Sequence, residues 1–205
     1  MIPKIKICGI TRPEDAILAS NLGVDAIGLV FYGGSPRAVT IEQAQAITAV
    51  LPPFISLVGL FVDESQYEIQ AVLDEVSLDV LQFHGDQTQA FCSDFGRRYF
   101  KALRIGANTN IEQEMNDYTD TSAFLLDSHS EKARGGTGEA FDWEKVPAKT
   151  KKPIILAGGL NPDNVAAAIQ QTSPYAVDVS SGVESSKGIK DAEKMAAFVR
   201  AVQGA

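Results

Sequence analysis

Cysteine and histidine are scarce: the 205 residues hold two of each. Cys8 and Cys92 lie far apart and outside any CxxC spacing, which argues against a disulfide framework and against the usual zinc or redox pairs. Two histidines are too few for a histidine-based metal cluster, and neither an HExxH nor an EF-hand spacing occurs, so metal-free chemistry is expected. Positive charge is also short, with 18 Lys and Arg against 26 Asp and Glu and a formal charge of −8. Nucleic acid needs a basic face, so any bound phosphate should be small and held by local groups. Long apolar runs are missing too. Nothing approaches the roughly 20 residues that cross a bilayer, and Lys4 and Lys6 sit in a strand pattern rather than a signal-peptide core. A cytoplasmic protein without a membrane partner is expected.

What is present is a repeat. Short apolar runs rich in Val, Ile, Leu and Phe occur at 4–8, 25–31, 54–62, 78–84, 99–105, 122–128, 153–159 and 175–182. Their near-continuous hydrophobicity suits strands of a parallel sheet covered on both faces. Segments with helical spacing separate them, several opening on a capping residue followed by acids, as at Thr11 to Asp15, Thr40 to Glu42 and Asp63 to Glu64. The fifth and sixth helices, around 110–118 and 142–147, are short and polar. Eight near-equal strand-helix units in one domain, residues 1–205, predict a closed (β/α)8 TIM barrel of the α/β class. An open dinucleotide-binding sheet should carry GxGxxG after its first strand, and "CGITRPED" does not.

In such a barrel the reactive face is the carboxyl end of the strands. The loops after strands seven and eight, "AGGLNPDN" and "DVSSGVE", are rich in small residues whose N–H groups can approach an anion closely. Tight turns would use the same glycines, but two such loops side by side favour a phosphate. Arg37, in "YGGSPR", is either a solvated loop arginine or a carboxylate clamp. His84 ends strand four and reads more readily as a buried structural group than as an acid-base catalyst, and Cys92 as packing without a role. Asp127 closes an otherwise apolar strand, either satisfied by loop amides or kept as a proton donor by partial burial. After it, Gly135, Gly136 and Gly138 around Thr137 suggest a flap, or simply an exposed loop. Cys8 ends strand one just before Gly9. A buried inert thiol is the ordinary outcome, but opposite a carboxylic acid it completes a base and an acid on two sides of one ligand. The residues alone lead to acid-base chemistry on a small phosphate. A pentose-phosphate epimerase and a non-catalytic phosphate-metabolite sensor remain alternatives.

Taken in order, "KIKICGIT", "DAIGLVFYGGSPR", "LVGLFV", "LQFHGD", "FLLDS" with "GGTG", "LAGGLNPDNV" and "VDVSSGVE" with "GIKD" resemble the phosphoribosylanthranilate isomerase family along nearly the whole chain. The resemblance implies a cofactor-free Amadori rearrangement in tryptophan biosynthesis, by a monomer or homodimer acting on a small phosphorylated substrate. It implies Cys8 as general base and Asp127 as general acid, with Arg37 on the anthranilate carboxylate. Substrate contacts from His84 and Asp178 are also expected, and phosphate binding by Gly158, Gly159, Leu160, Ser180, Ser181 and Gly182.

Overall fold

The computed structural model describes residues 2–106, 109–128 and 142–205. Each of the eight apolar runs forms a strand: β1 (Lys4–Cys8), β2 (Ala26–Val30), β3 (Ser56–Phe61), β4 (Val80–Phe83), β5 (Arg98–Ile105), β6 (Phe124–Ser128), β7 (Ile154–Leu156) and β8 (Ala176–Val179). Neighbours pair in parallel and in chain order, and β8 returns to β1 with Lys6 opposite Asp178, so the sheet closes into a barrel.

Alternation along each strand sorts the side chains. Ile5 and Ile7 lie in the large apolar layer shared with the helices, while residues from β2 to β8, among them Val58, Phe100, Leu125, Ile155 and Ala176, gather into a separate cluster that fills the barrel axis. Lys6 and Cys8 alternate with the isoleucines and therefore face that axis too.

The helices are α1 (Pro13–Asn21), α2 (Ile41–Thr48), α3 (Gln66–Glu75), α4 (Gln89–Ser93), α5 (Ile111–Asn116), α6 (Val165–Thr172) and α7 (Ala192–Gln203). α5 is as short as its polar sequence suggests, and between β6 and β7 the described residues form a single 3-10 turn, Trp143–Lys145. α7 seals the seam with Met195, Phe198, Val199 and Val202, spaced along one face and buried. Each contributes roughly 1.5–3 kcal/mol of burial.

Two helix starts differ from expectation. Ser65, not Asp63 or Glu64, caps α3, closing a capping box with Glu68. Asp63 instead turns back in a positive-φ conformation and accepts the N–H of Asp86. α1 begins after Arg12 without a side-chain cap. Thr40 caps α2 as expected, its box completed by Gln43. After β8 the chain adds a 3-10 turn (Ser181–Val183) and a hairpin of β9 (Glu184–Ser186) and β10 (Ile189–Lys190) before α7, an excursion outside the strand-helix pattern. No helix among the described residues is long and apolar enough to cross a membrane.

Candidate active site

The strands end around one cavity of about 340 Å³ at the carboxyl face of the barrel. Cys8, Arg37, His84, Asp127, Gly158, Gly159, Leu160, Asp178, Ser180 and Ser181 all line it. Gly182 stands behind, where a Cβ would fall 2.0 Å from the carbonyl oxygen of Leu160. Only glycine allows the β7 and β8 loops to touch there. Gly135, Gly136, Thr137 and Gly138 lie outside the described residues. Among the described residues no group of three or more His, Cys, Asp or Glu is placed to hold a metal ion.

At the β7–β8 end, Gly158 and Gly159 both take positive φ, 75° and 69°, which turns the chain sharply at the cavity wall. α6 starts only at Val165, after Asn164, so it does not open directly from this turn. The 3-10 turn at Ser181 is nearer. Ser180, which precedes it, lines the cavity with a buried hydroxyl that has no hydrogen-bond partner among the described residues. A buried polar group without a partner is costly, so this hydroxyl marks a place for an oxygen-rich ligand.

Asp127 sits on the β6 side. Its Oδ1 accepts the N–H of Ser128 at 2.8 Å, and its Oδ2 is 3.3 Å from His84 Nε2. That second contact is close enough for charge to be felt but too poorly aligned to count as a hydrogen bond, and His84 Nε2 has no other partner. On its far side His84 Nδ1 lies 3.2 Å from Gln82 Nε2. With the amide as donor, Nδ1 accepts and Nε2 carries the hydrogen toward Asp127. His84 thus has Gln82 on one side of its ring and faces Asp127 on the other, where the sequence suggested neither.

Across the cavity, Cys8 is buried at the end of β1. Burial pushes its thiol pKa up, against the pull of the Lys6 ammonium. Asp178 accepts from Lys6 Nζ at 2.9 Å. The two partners respond differently. Burial outweighs the ammonium and raises the Asp178 pKa, whereas for Lys6 burial is outweighed by Asp178 and Cys8, which keep it charged. Asp178 therefore lines the cavity with one oxygen already engaged.

Arg37 reaches the cavity in an unexpected state. Its Nε and Nη2 donate to the two oxygens of Glu184 at 2.7 and 2.8 Å, so the side-on fork expected for a ligand carboxylate is taken. Glu184 also accepts from Lys190 Nζ at 2.9 Å, and Lys190 donates further to the carbonyls of Cys8 and Ser180. Burial disfavours the Glu184 carboxylate, but Arg37 and Lys190 outweigh it and hold its pKa below the usual value. Burial lowers the pKa of Lys190.

Gln82, Lys6, Glu184 and Lys190 were not found by reading the sequence for site residues. For Lys6 and Gln82 the signal was there: each is two residues from a strand-end group, Cys8 or His84, and so shares its face. Glu184 and Lys190 lie inside the "VDVSSGVE" and "GIKD" motifs, but nothing in the strand-helix pattern brings them to the site, because the hairpin that carries them belongs to no strand-helix unit. Cys92 is fully buried in the apolar layer around α4, away from the cavity.

A profile of the N-(5'phosphoribosyl)anthranilate (PRA) isomerase family matches residues 5–201. The N-(5'-phosphoribosyl)anthranilate isomerase of Azotobacter vinelandii is 57% identical over 200 residues, covering 98% of this chain and 97% of the relative. Among solved structures, phosphoribosyl anthranilate isomerase from Thermotoga maritima superimposes with a TM-score of 0.91 at 37% identity, covering 99% of this chain and all of the other. A phosphoribosyl anthranilate isomerase in complex with reduced 1-(o-carboxyphenylamino)-1-deoxyribulose 5-phosphate does so at 0.85 and 35% identity, with the same coverage. This chain belongs to the N-(5'-phosphoribosyl)anthranilate isomerase family.

Proposed function

We propose that this protein converts N-(5-phosphoribosyl)anthranilate to 1-(2-carboxyphenylamino)-1-deoxyribulose 5-phosphate, the Amadori step of tryptophan biosynthesis, by general acid-base catalysis within a single barrel domain. The observation that carries the reading is that Cys8 and Asp127, from strands on different sides of the barrel, line one cavity whose β7–β8 end is built of glycine and serine.

Asp127 protonates the ribose ring oxygen and the ring opens to a Schiff base. Cys8, as thiolate, removes the proton from C2, giving an enolamine that tautomerises to the ketone. His84, beside Asp127, orients the carboxyl and contacts the opened sugar. The substrate phosphate lies on the N–H groups of the loops from Gly158 to Leu160 and from Ser180 to Gly182, with the Ser180 hydroxyl as an additional donor. Arg37 offers the anthranilate carboxylate its end-on pair of N–H groups, since Glu184 holds the side-on pair. Asp178 stands on the floor of the cavity beside Cys8.

The protein acts in the cytoplasm as a monomer or homodimer, on a small phosphorylated substrate, with neither nucleic acid nor membrane as partner. Its acidic charge argues against a nucleic-acid partner. Mixing purified protein with substrate should abolish the fluorescence of the anthranilate derivative at a rate proportional to enzyme. Binding without any change in fluorescence would leave a sensor and remove the isomerase.

A further inference from the structure

The floor of the cavity holds a charge that the mechanism above does not use. Lys6 precedes Cys8 by two residues on β1, and 4% of it is exposed. Its ammonium donates to Asp178 Oδ1 at 2.9 Å and converges with the Cys8 sulfur on the same space beside β2. Gly28, on β2, leaves the room for this: a Cβ there would lie 2.9 Å from Cys8 Sγ and 3.0 Å from Lys6 Nζ. A buried ammonium gives up its hydration, and an apolar side chain of similar length would fill the space at lower cost. Packing alone does not account for a lysine here.

Building on the reading of Cys8 as the base, we propose that Lys6 is a positioning residue of the isomerisation: its fixed ammonium is the counter-charge that lets Cys8 exist as a thiolate and that aims the sulfur into the cavity. Burial works against the thiolate, and Lys6 is the strongest of the groups that oppose burial. The other charges around Cys8 are otherwise occupied. Lys190, from β10, helps from a distance but spends its hydrogens on two carbonyls and Glu184. Arg37, from the loop after β2, is forked onto Glu184. Asp178, from β8, disfavours the thiolate, and Asp127 and His84 line the cavity from β6 and the end of β4. Lys6 is the cation that addresses the sulfur itself.

The proton count closes. The Cys8 thiol loses its proton to water in the open cavity before substrate enters. Sγ then takes the C2 proton of the protonated Schiff base while the C2–H electron pair becomes the C1–C2 double bond and the iminium pair moves onto nitrogen, giving a neutral enolamine. The enol proton leaves oxygen as C1 gains one, and after product release Cys8 returns its proton to water while Asp127 takes one up. Lys6 keeps its three protons throughout.

The test is the pH dependence of Cys8 alkylation by iodoacetamide, followed on its own peptide by mass spectrometry so that Cys92 does not interfere. In Lys6→Met the midpoint should move up by about one pH unit or more, and the low-pH limb of kcat/KM should move with it. A purely structural lysine would lower kcat/KM evenly across pH and leave both midpoints in place, which overturns the proposal. Lys6→Met leaves Asp178 buried without its partner. If that variant does not fold, Asp178→Asn is compared with Lys6→Met/Asp178→Asn: a higher midpoint in the double variant sustains the proposal, and equal midpoints end it. Alkylation needs no turnover, so it judges Lys6 separately from the base assignment, which fails instead if Cys8→Ser turns over normally.

Discussion

The two flanks of the cavity are built in different ways. Around Cys8 stand Lys6, Asp178, Arg37, Glu184 and Lys190, all buried and tied together in ion pairs. Around Asp127 stand His84 and Gln82, joined by weakly directed contacts; Arg104 donates to the carbonyl of His84, but among the described residues no lysine or arginine pairs with the Asp127 carboxyl. The difference matches the roles proposed above for the two flanks. A thiol pushed up by burial needs a nearby positive charge before it can act as a base, whereas a carboxyl that must give a proton needs orientation and would be spoiled by a neighbouring cation.

The sharpest way to break this comparison is to remove each end group in turn. Asp127→Asn keeps the shape and loses the proton, so kcat/KM should fall by roughly 10²–10⁴, read from the decay of substrate fluorescence. Cys8→Ser should fall as severely. Near-normal turnover in either would show that its flank is scaffolding.

Next in size is the response to pH. Because burial raises the Cys8 pKa, the thiolate is the minor form at neutrality, and kcat/KM should climb about tenfold per pH unit until the thiol has titrated, beyond its ordinary value of about 8.5. A profile already flat at neutral pH would mean that the charges on this flank have overcome burial. Stability should run separately. The Glu184 pKa is lowered in the folded protein, so its contribution is present above the unfolded value of about 4.3 and is lost as pH falls through the lower folded value.

Gly182→Ala tests the wall that both flanks share. Its Cβ would meet the Leu160 carbonyl, forcing the loops after β7 and β8 apart, and on their proposed role in phosphate binding KM should rise about tenfold, equivalent to ~1.4 kcal/mol, with a smaller change in kcat. Gln82→Leu then sharpens the acid flank: losing one neutral hydrogen bond to His84, worth about 0.5–1.5 kcal/mol, should slow turnover about threefold to tenfold and leave Cys8 alkylation unmoved. Ser65→Ala, on the cap of α3, should cost about 1 kcal/mol of unfolding free energy and nothing in rate. A rate effect there would mean that the outer helices govern the site.

The barrel could be read from the sequence because most strands are buried on both faces and so announce themselves as near-continuous apolar runs, β1 with its two lysines being the exception. The same burial makes the polar ends of those runs conspicuous, which is why Cys8, His84 and Asp127 could be picked out, whereas Asp178, inside β8, came only with the family resemblance. The groups below them could not be found this way. Lys6 looks like the exposed half of an alternating strand, and only closure of the sheet turns that half inward. Glu184 and Lys190 arrive on a hairpin with no helix-strand signature. The engagement of Arg37 by Glu184 depends on a pairing across 147 residues that no local pattern encodes. Asp63 looked like a cap because acids cluster there, but Ser65 has the better geometry for reaching the third N–H of the helix.

The bond from Lys6 to Asp178 joins positions 172 apart, and that from Lys190 to the carbonyl of Cys8 joins positions 182 apart. Contacts of such long range close late, because the entropy of the intervening loop must first be overcome. A chain still being synthesised therefore carries its thiol from the start but not the surroundings that make it useful. Until β8 has left the ribosome β1 has no neighbour on one side, and until Lys190 follows, the cluster around the thiol is incomplete, so this flank of the cavity comes into being late in assembly.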